Sequence, residues 1–178
     1  TSGTPPPGEE GHPVTGVSWY EASAYCAFRE RRLPSVFQWE KAARDGRISH
    51  VKGLVMPWGL VGTEDPGGER ANFAGSGTEP VDARPFGISP YGAYAMAGNV
   101  KEWTANPVGA GRAVTGGSFE DPLYLFSEYG AYAPASSSRS LGFRCVRVRA
   151  DDARRGRDQG TFALELEEPT PTYEPVHE

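Results

Sequence analysis

Tyr91-Gly92-Ala93-Tyr94-Ala95-Met96-Ala97-Gly98-Asn99-Val100-Lys101-Glu102-Trp103-Thr104 is the stretch on which the reading of this chain turns. It is rich in aromatic and small residues, yet it carries a charged pair, Lys101-Glu102, beside a tryptophan. The Gly98-Asn99 step interrupts it at residue types that form a left-handed backbone most easily. Neither helical nor strand periodicity accounts for the pattern. It predicts a buried irregular loop, with Glu102 turned inward to meet backbone amides or a cation. A solvated turn ahead of a strand is the competing reading.

The chain of 178 residues fits one domain with tails. Its 23 glycines and 16 prolines argue against a helix bundle and for long, structured loops. Four Trp, eight Tyr and eight Phe are enough to build a core. A net charge of -5 with no basic block argues against nucleic-acid binding. No apolar run approaches the roughly 18 residues of a membrane span. Residues 1–13 are rich in Pro and Gly, without an initiator Met or a signal-peptide pattern, and read as a linker or the end of a missing N-terminal part of a larger protein. Residues 14–148 read as the domain. Residues 149–178 read as a charged tail in which 162–168 alternates like an edge strand.

Helix signals concentrate early. Ser18-Trp19-Tyr20-Glu21 is a capping box, followed by Ala22, Tyr25 and Cys26 at helical spacing. Pro34 should stop this helix near Arg32. Ser35-Val36-Phe37-Gln38 opens a second helix that runs to about Arg44, closed by Gly46. Strand signals are Ala113-Val114-Thr115 and, best of all, the alternating Gly142–Val148. Between them, 120–140 is a long loop crowded with aromatics, and long ordered loops tend to carry function. Cys26 and Cys145 are far apart in sequence, and they read either as a disulfide or as two buried thiols. A bridge would close a long loop, worth roughly 4 to 5 kcal/mol in the chain-entropy treatment. It would imply an extracytoplasmic, oxidising compartment, and free thiols the cytoplasm.

Taken in order, the motifs resemble the formylglycine-generating-enzyme, or sulfatase-modifying-factor, family. They are His12-Pro13-Val14, Val17–Ala22, Arg32-Leu33-Pro34, Trp39–Arg44, Pro57-Trp58-Gly59, Ala71-Asn72-Phe73, Pro80-Val81, Tyr91–Tyr94, Gly98–Trp103, Gly116–Phe119 and Gly142–Cys145. The resemblance covers about residues 12 to 148. It implies an α+β domain of C-type-lectin-like fold, with two helices, a small twisted antiparallel sheet and much ordered loop. Catalytic members of the family hold copper through two cysteines, three and eight residues after the Ser of the Gly-Gly-Ser motif. Those positions here are Asp121 and Phe126, which cannot replace two soft thiolates for Cu(I). A copper-dependent formylglycine-generating oxidoreductase is therefore the disfavoured alternative. An iron-dependent branch uses a His-x3-His-x-Glu triad, which His12, His50 and His177 do not form.

The resemblance also implies a calcium site from the Gly98 and Val100 carbonyls and the Glu102 carboxylate. It lacks one acidic ligand, because Ala95 stands where an Asn or Asp is expected. The alternative is Glu102 bonded to backbone amides, or paired with Arg144 or Lys101. A second calcium site would use Asn72 and the Phe73 carbonyl, its acidic partner missing. Some family members pair cysteines at the positions of Cys26 and Cys145. Lys101 and the run after Ser118 resemble domains attached to bacterial serine/threonine kinases, and retroelement-diversified variable proteins share the fold. The expected function is then non-catalytic recognition of a protein or small-molecule ligand through the 118–140 loop. Its candidate contacts are Glu120, Asp121, Tyr124, Phe126, Tyr129, Tyr132, Ser137 and Arg139, with rigid aromatics providing contact area at low entropic cost. A purely structural domain is the third reading, with Tyr124 and Phe126 in the core.

Overall fold

The computed structural model describes residues 4–44, 54–61 and 68–147. The tail from 149 onward, with its expected strand at 162–168, and Gly46 lie outside the described residues. Two helices form where the capping boxes place them: α1 over Trp19–Phe28 and α2 over Val36–Arg44. Ser18 and Glu21 exchange their reciprocal bonds at the start of α1, and Ser35 and Gln38 do so at α2. Helix α1 ends before Arg32. Arg29 caps it, Glu30 takes a left-handed φ of 52°, and Arg32 bridges to Val146 instead.

Strands β1 (Leu54–Met56) and β2 (Gly59–Val61) form a two-stranded hairpin. The main sheet contains β3 (Lys101–Val108), β4 (Gly111–Thr115), β5 (Gly130–Tyr132) and β6 (Leu141–Phe143), in the order β5-β4-β3-β6. The β3–β4 and β4–β5 pairs are antiparallel, but β3 and β6 run parallel, so the sheet is mixed rather than wholly antiparallel. The two-helix α+β architecture with abundant ordered loop is as expected.

Three expectations are corrected. The loop reading of 91–104 holds only to Val100, and Lys101 begins the longest strand. Of the described part of the 142–148 signal, only Gly142 and Phe143 join a strand, Leu141–Phe143, because Arg144 and Cys145 are drawn off to other partners. The 120–140 loop contains strand β5 and a 3-10 turn, Leu123–Ser127.

Successive side chains of a strand point to opposite faces, and β3 uses both. On one face Trp103 is fully buried with Ala22, Cys26, Leu33, Val114 and Leu141. The Cys26–Cys145 disulfide, with its Cα atoms 5.5 Å apart, ties α1 to the chain after β6 on this side. On the other face Glu102 meets the second cluster, built on Trp39, Ala43, Met56, Met96 and Phe126. Gly98 sits where this turn crosses Asn72. Its φ is 71°, and a Cβ there would lie 2.4 Å from the Asn72 carbonyl oxygen.

Candidate functional site

Gly116 and Gly117 both take positive φ and swing the chain out of β4 toward the loop. A Cβ on Gly117 would stand 2.7 Å from the Phe73 ring, so the turn requires glycine. Ser118 follows, fully buried, and its hydroxyl and amide both donate to Asp121 Oδ2, at 2.6 and 2.8 Å. Lys101, on the adjacent strand, closes the group by an ion pair with the same carboxylate oxygen. Burial alone would raise the Asp121 pKa. The bonds from Lys101 and Ser118 outweigh it and hold the carboxyl below its usual range.

A cleft of about 230 Å³ opens beside this ion pair. Lys101, Asp121, Thr115, Glu128, Tyr129 and Tyr132 supply its polar lining, and Val114 and Leu125 the apolar part. Tyr129 is fixed from behind. Its hydroxyl donates to Glu40 Oε1 at 2.5 Å, and Glu40 is held by Arg44 through bonds of 2.6 and 2.8 Å. Burial and then the Glu40 carboxylate push the Tyr129 phenol above its ordinary pKa, so it stays protonated and donating. Arg44 also bonds the Val55 carbonyl and the Ser127 hydroxyl, and lies over the Phe126 ring. Helix α2 thus anchors the far side of the cleft. Thr115 is 2% exposed and its hydroxyl has no hydrogen-bond partner among the described residues.

The expected contact residues divide. Asp121, Tyr129 and Tyr132 line the cleft. Phe126 is 0% exposed and packs on Trp39 and Arg44, so it is core and not a contact surface. Tyr124 and Ser137 are exposed and outside the cleft lining. Glu120 and Arg139 form a surface ion pair outside its lining, and the Glu120 carboxyl is lowered by Ser140 and then Arg139. Lys101, Thr115 and Glu128 enter the site without having been singled out as contacts. No local pattern in the sequence marks them, because strand pairing and the turn after β4 bring them together.

At the expected metal position, Glu102 is 5% exposed and both its oxygens are engaged. Arg144 donates to them at 2.5 and 2.6 Å, and Trp39 Nε1 donates to Oε2 at 2.7 Å. The same guanidinium reaches the Tyr94 and Ala95 carbonyls. It therefore faces a carboxylate and two backbone carbonyls, the oxygen type that calcium prefers. Asn72, the seed of the second expected calcium site, bonds Gly77 and Asn99 through its side chain. Among the described residues no group of three or more His, Cys, Asp or Glu is arranged to hold a metal ion, and no helix is long and apolar enough to cross a membrane.

Residues 2–149 match the model of the sulfatase-modifying factor enzyme 1-like domain. The inactive C-alpha-formylglycine-generating enzyme 2 of Mus musculus is 40% identical over 154 residues, covering 75% of this chain and 48% of that protein. The serine/threonine-protein kinase Pkn1 of Chlamydia trachomatis serovar L2 is 35% identical over 164 residues, covering 79% of this chain and 25% of the kinase. The chain thus spans about half or less of these relatives. Among solved structures, Treponema denticola variable protein 1 superposes with a TM-score of 0.64 at 23% identity, over 80% of this chain and 74% of that one, and so shares the fold. The chain belongs to the sulfatase-modifying-factor family.

Proposed function

We propose that this member of the sulfatase-modifying-factor family is a recognition module, binding a ligand in the cleft beside Lys101 and Asp121 and not oxidising a substrate with copper. The observation that carries this reading is the fate of the two thiolate positions. Asp121 is locked into an ion pair, and Phe126 is sealed in the core. Neither can bind Cu(I), while a cleft of about 230 Å³ opens beside Lys101 and Asp121. The Ser118 hydroxyl beside the ion pair is fully buried and donates to Asp121. That arrangement supports a structural role for it.

The relatives support the same reading. One is called inactive, and another attaches the domain to a kinase. Here too the domain would serve within a larger protein, its ligand a small molecule or a side chain of a protein partner. Arg144, and not calcium, balances Glu102 in this account. Cu(I) titration followed by incubation with a cysteine-containing sulfatase peptide tests the assignment. The expected result is no stoichiometric copper uptake and no aldehyde product; copper-dependent turnover would defeat it.

A further inference from the structure

The cleft's hydrogen-bonding groups are unequally committed. The Lys101 ammonium is engaged with Asp121 and Ser118, and the Tyr129 hydroxyl with Glu40. Its second carboxylate and one buried hydroxyl are not committed in this way. Among the described residues the Glu128 carboxylate makes no ion pair, and the buried Thr115 hydroxyl has no hydrogen-bond partner. A hydroxyl buried to 2% exposure without a partner costs free energy unless something comes to meet it. The cleft lining carries one ammonium and two carboxylates, leaving one negative charge unbalanced. Two tyrosines line the same cleft, and an aromatic face attracts a cation.

From these facts we infer that the cleft takes a small organic cation: a primary alkylammonium group, supplied by a free amine or by the lysine side chain of a partner. This inference rests on the proposal that the cleft is a binding site, and it names the class of ligand. The ammonium hydrogens would meet the Glu128 carboxylate and a hydroxyl, and the alkyl stem would lie along Val114, Leu125 and the tyrosine rings. An anion would face an unbalanced carboxylate. A neutral alcohol would leave the charge unanswered.

NMR titration of the full chain with n-butylammonium, 1-pentanol and pentanoate, which are similar in size, tests this. N-acetyl-lysine methylamide is run beside them to separate a lysine side chain from a free amine. The expected result is saturable shifts at Thr115, Gly117 and Gly130 with the two amines, at least about tenfold tighter than with the alcohol or the acid, a ratio equivalent to about 1.4 kcal/mol. Glu128→Gln, at an exposed residue without an ion-pair partner among the described residues, should keep the fold and weaken amine binding about tenfold, the same equivalence applying. Thr115→Val should weaken it too, while holding or raising the melting temperature. Two results overturn the inference: pentanoate or pentanol binding the cleft as tightly as the amine, or Glu128→Gln leaving amine affinity unchanged. Binding of a non-cationic probe that Tyr132→Ala abolishes would refute the cation class yet leave the cleft as a binding site. Silence from every probe would count against both.

Discussion

Replacing Glu102 by Gln probes the joint between the loop and the sheet. The carboxylate is 5% exposed and accepts three short bonds, two from Arg144 and one from Trp39. Removing one member of a buried ion pair costs about 3 to 5 kcal/mol, because the survivor is left charged and unpaired. Two features reduce that figure here. Arg144 is 26% exposed through its side chain, so part of its charge can be solvated, and the amide oxygen of Gln can still accept from Trp39. We expect Glu102→Gln to cost about 2 to 3 kcal/mol, and Arg144→Met a similar amount. The Glu102→Gln, Arg144→Met double variant should lose less than the sum of the singles by about 1.5 kcal/mol or more, since neither charge is then stranded. Urea unfolding under non-reducing conditions, followed by tryptophan fluorescence, reads all four proteins. A Glu102→Gln cost below about 0.5 kcal/mol, or single effects that add within about 0.3 kcal/mol, would refute the reasoning.

Three further outcomes follow from the same structure. Calcium or a chelator should leave the melting temperature unchanged, because Arg144 already occupies the Glu102 oxygens; a saturable rise with calcium would show that the guanidinium yields to the ion. In Lys101→Met, Asp121 keeps its burial but loses its main cation, so its pKa should move up. The folded-state pKa of wild-type Asp121 is depressed, so the stability it contributes is present above the unfolded value of about 3.9 and is lost as pH falls through the folded one. The stability gap between the two proteins should therefore be widest near neutral pH and close below about pH 4, as acid unfolding curves would show. Replacing Cys26 and Cys145 together by Ala should destabilise by up to about 4 to 5 kcal/mol, since the bridge spans 119 residues, and guanidinium midpoints measure it.

What could be read from the sequence was what local chemistry dictates. Both helices start at their capping boxes, because Ser18–Glu21 and Ser35–Gln38 satisfy free amides with neighbours three residues away. The inward turn of Glu102 was also legible, since a carboxylate between Val100 and Trp103 has to find partners. The strand limits were not. Lys101-Glu102-Trp103-Thr104 is a strand only because β4 and β6 flank it, one 10 residues along and the other 40, and no local period reports partners at such distances. The short β6 has the opposite cause. Its alternation continues in sequence, but Arg144 is claimed by Glu102 and Cys145 by Cys26.

The candidate site divides along the same line. Asp121, Tyr129 and Tyr132 were found because they lie on the aromatic loop. Phe126 was misplaced as a contact, since a loop phenylalanine looks the same from sequence whether it faces solvent or Arg44 and Trp39. Thr115 was missed because an unpartnered hydroxyl becomes visible only when its surroundings are known. The Tyr129–Glu40–Arg44 chain, which braces the cleft from helix α2, joins residues up to 89 apart and has no local signature.

The claim that the cleft recognises a ligand is tested most directly by a fragment screen on the isotopically labelled chain, with shifts mapped to residues. The account predicts that hits cluster on Lys101, Thr115, Asp121, Glu128, Tyr129 and Tyr132, and that Tyr129→Ala with Tyr132→Ala removes them while the fold persists. Hits that gather elsewhere, or that survive both substitutions, would contradict it.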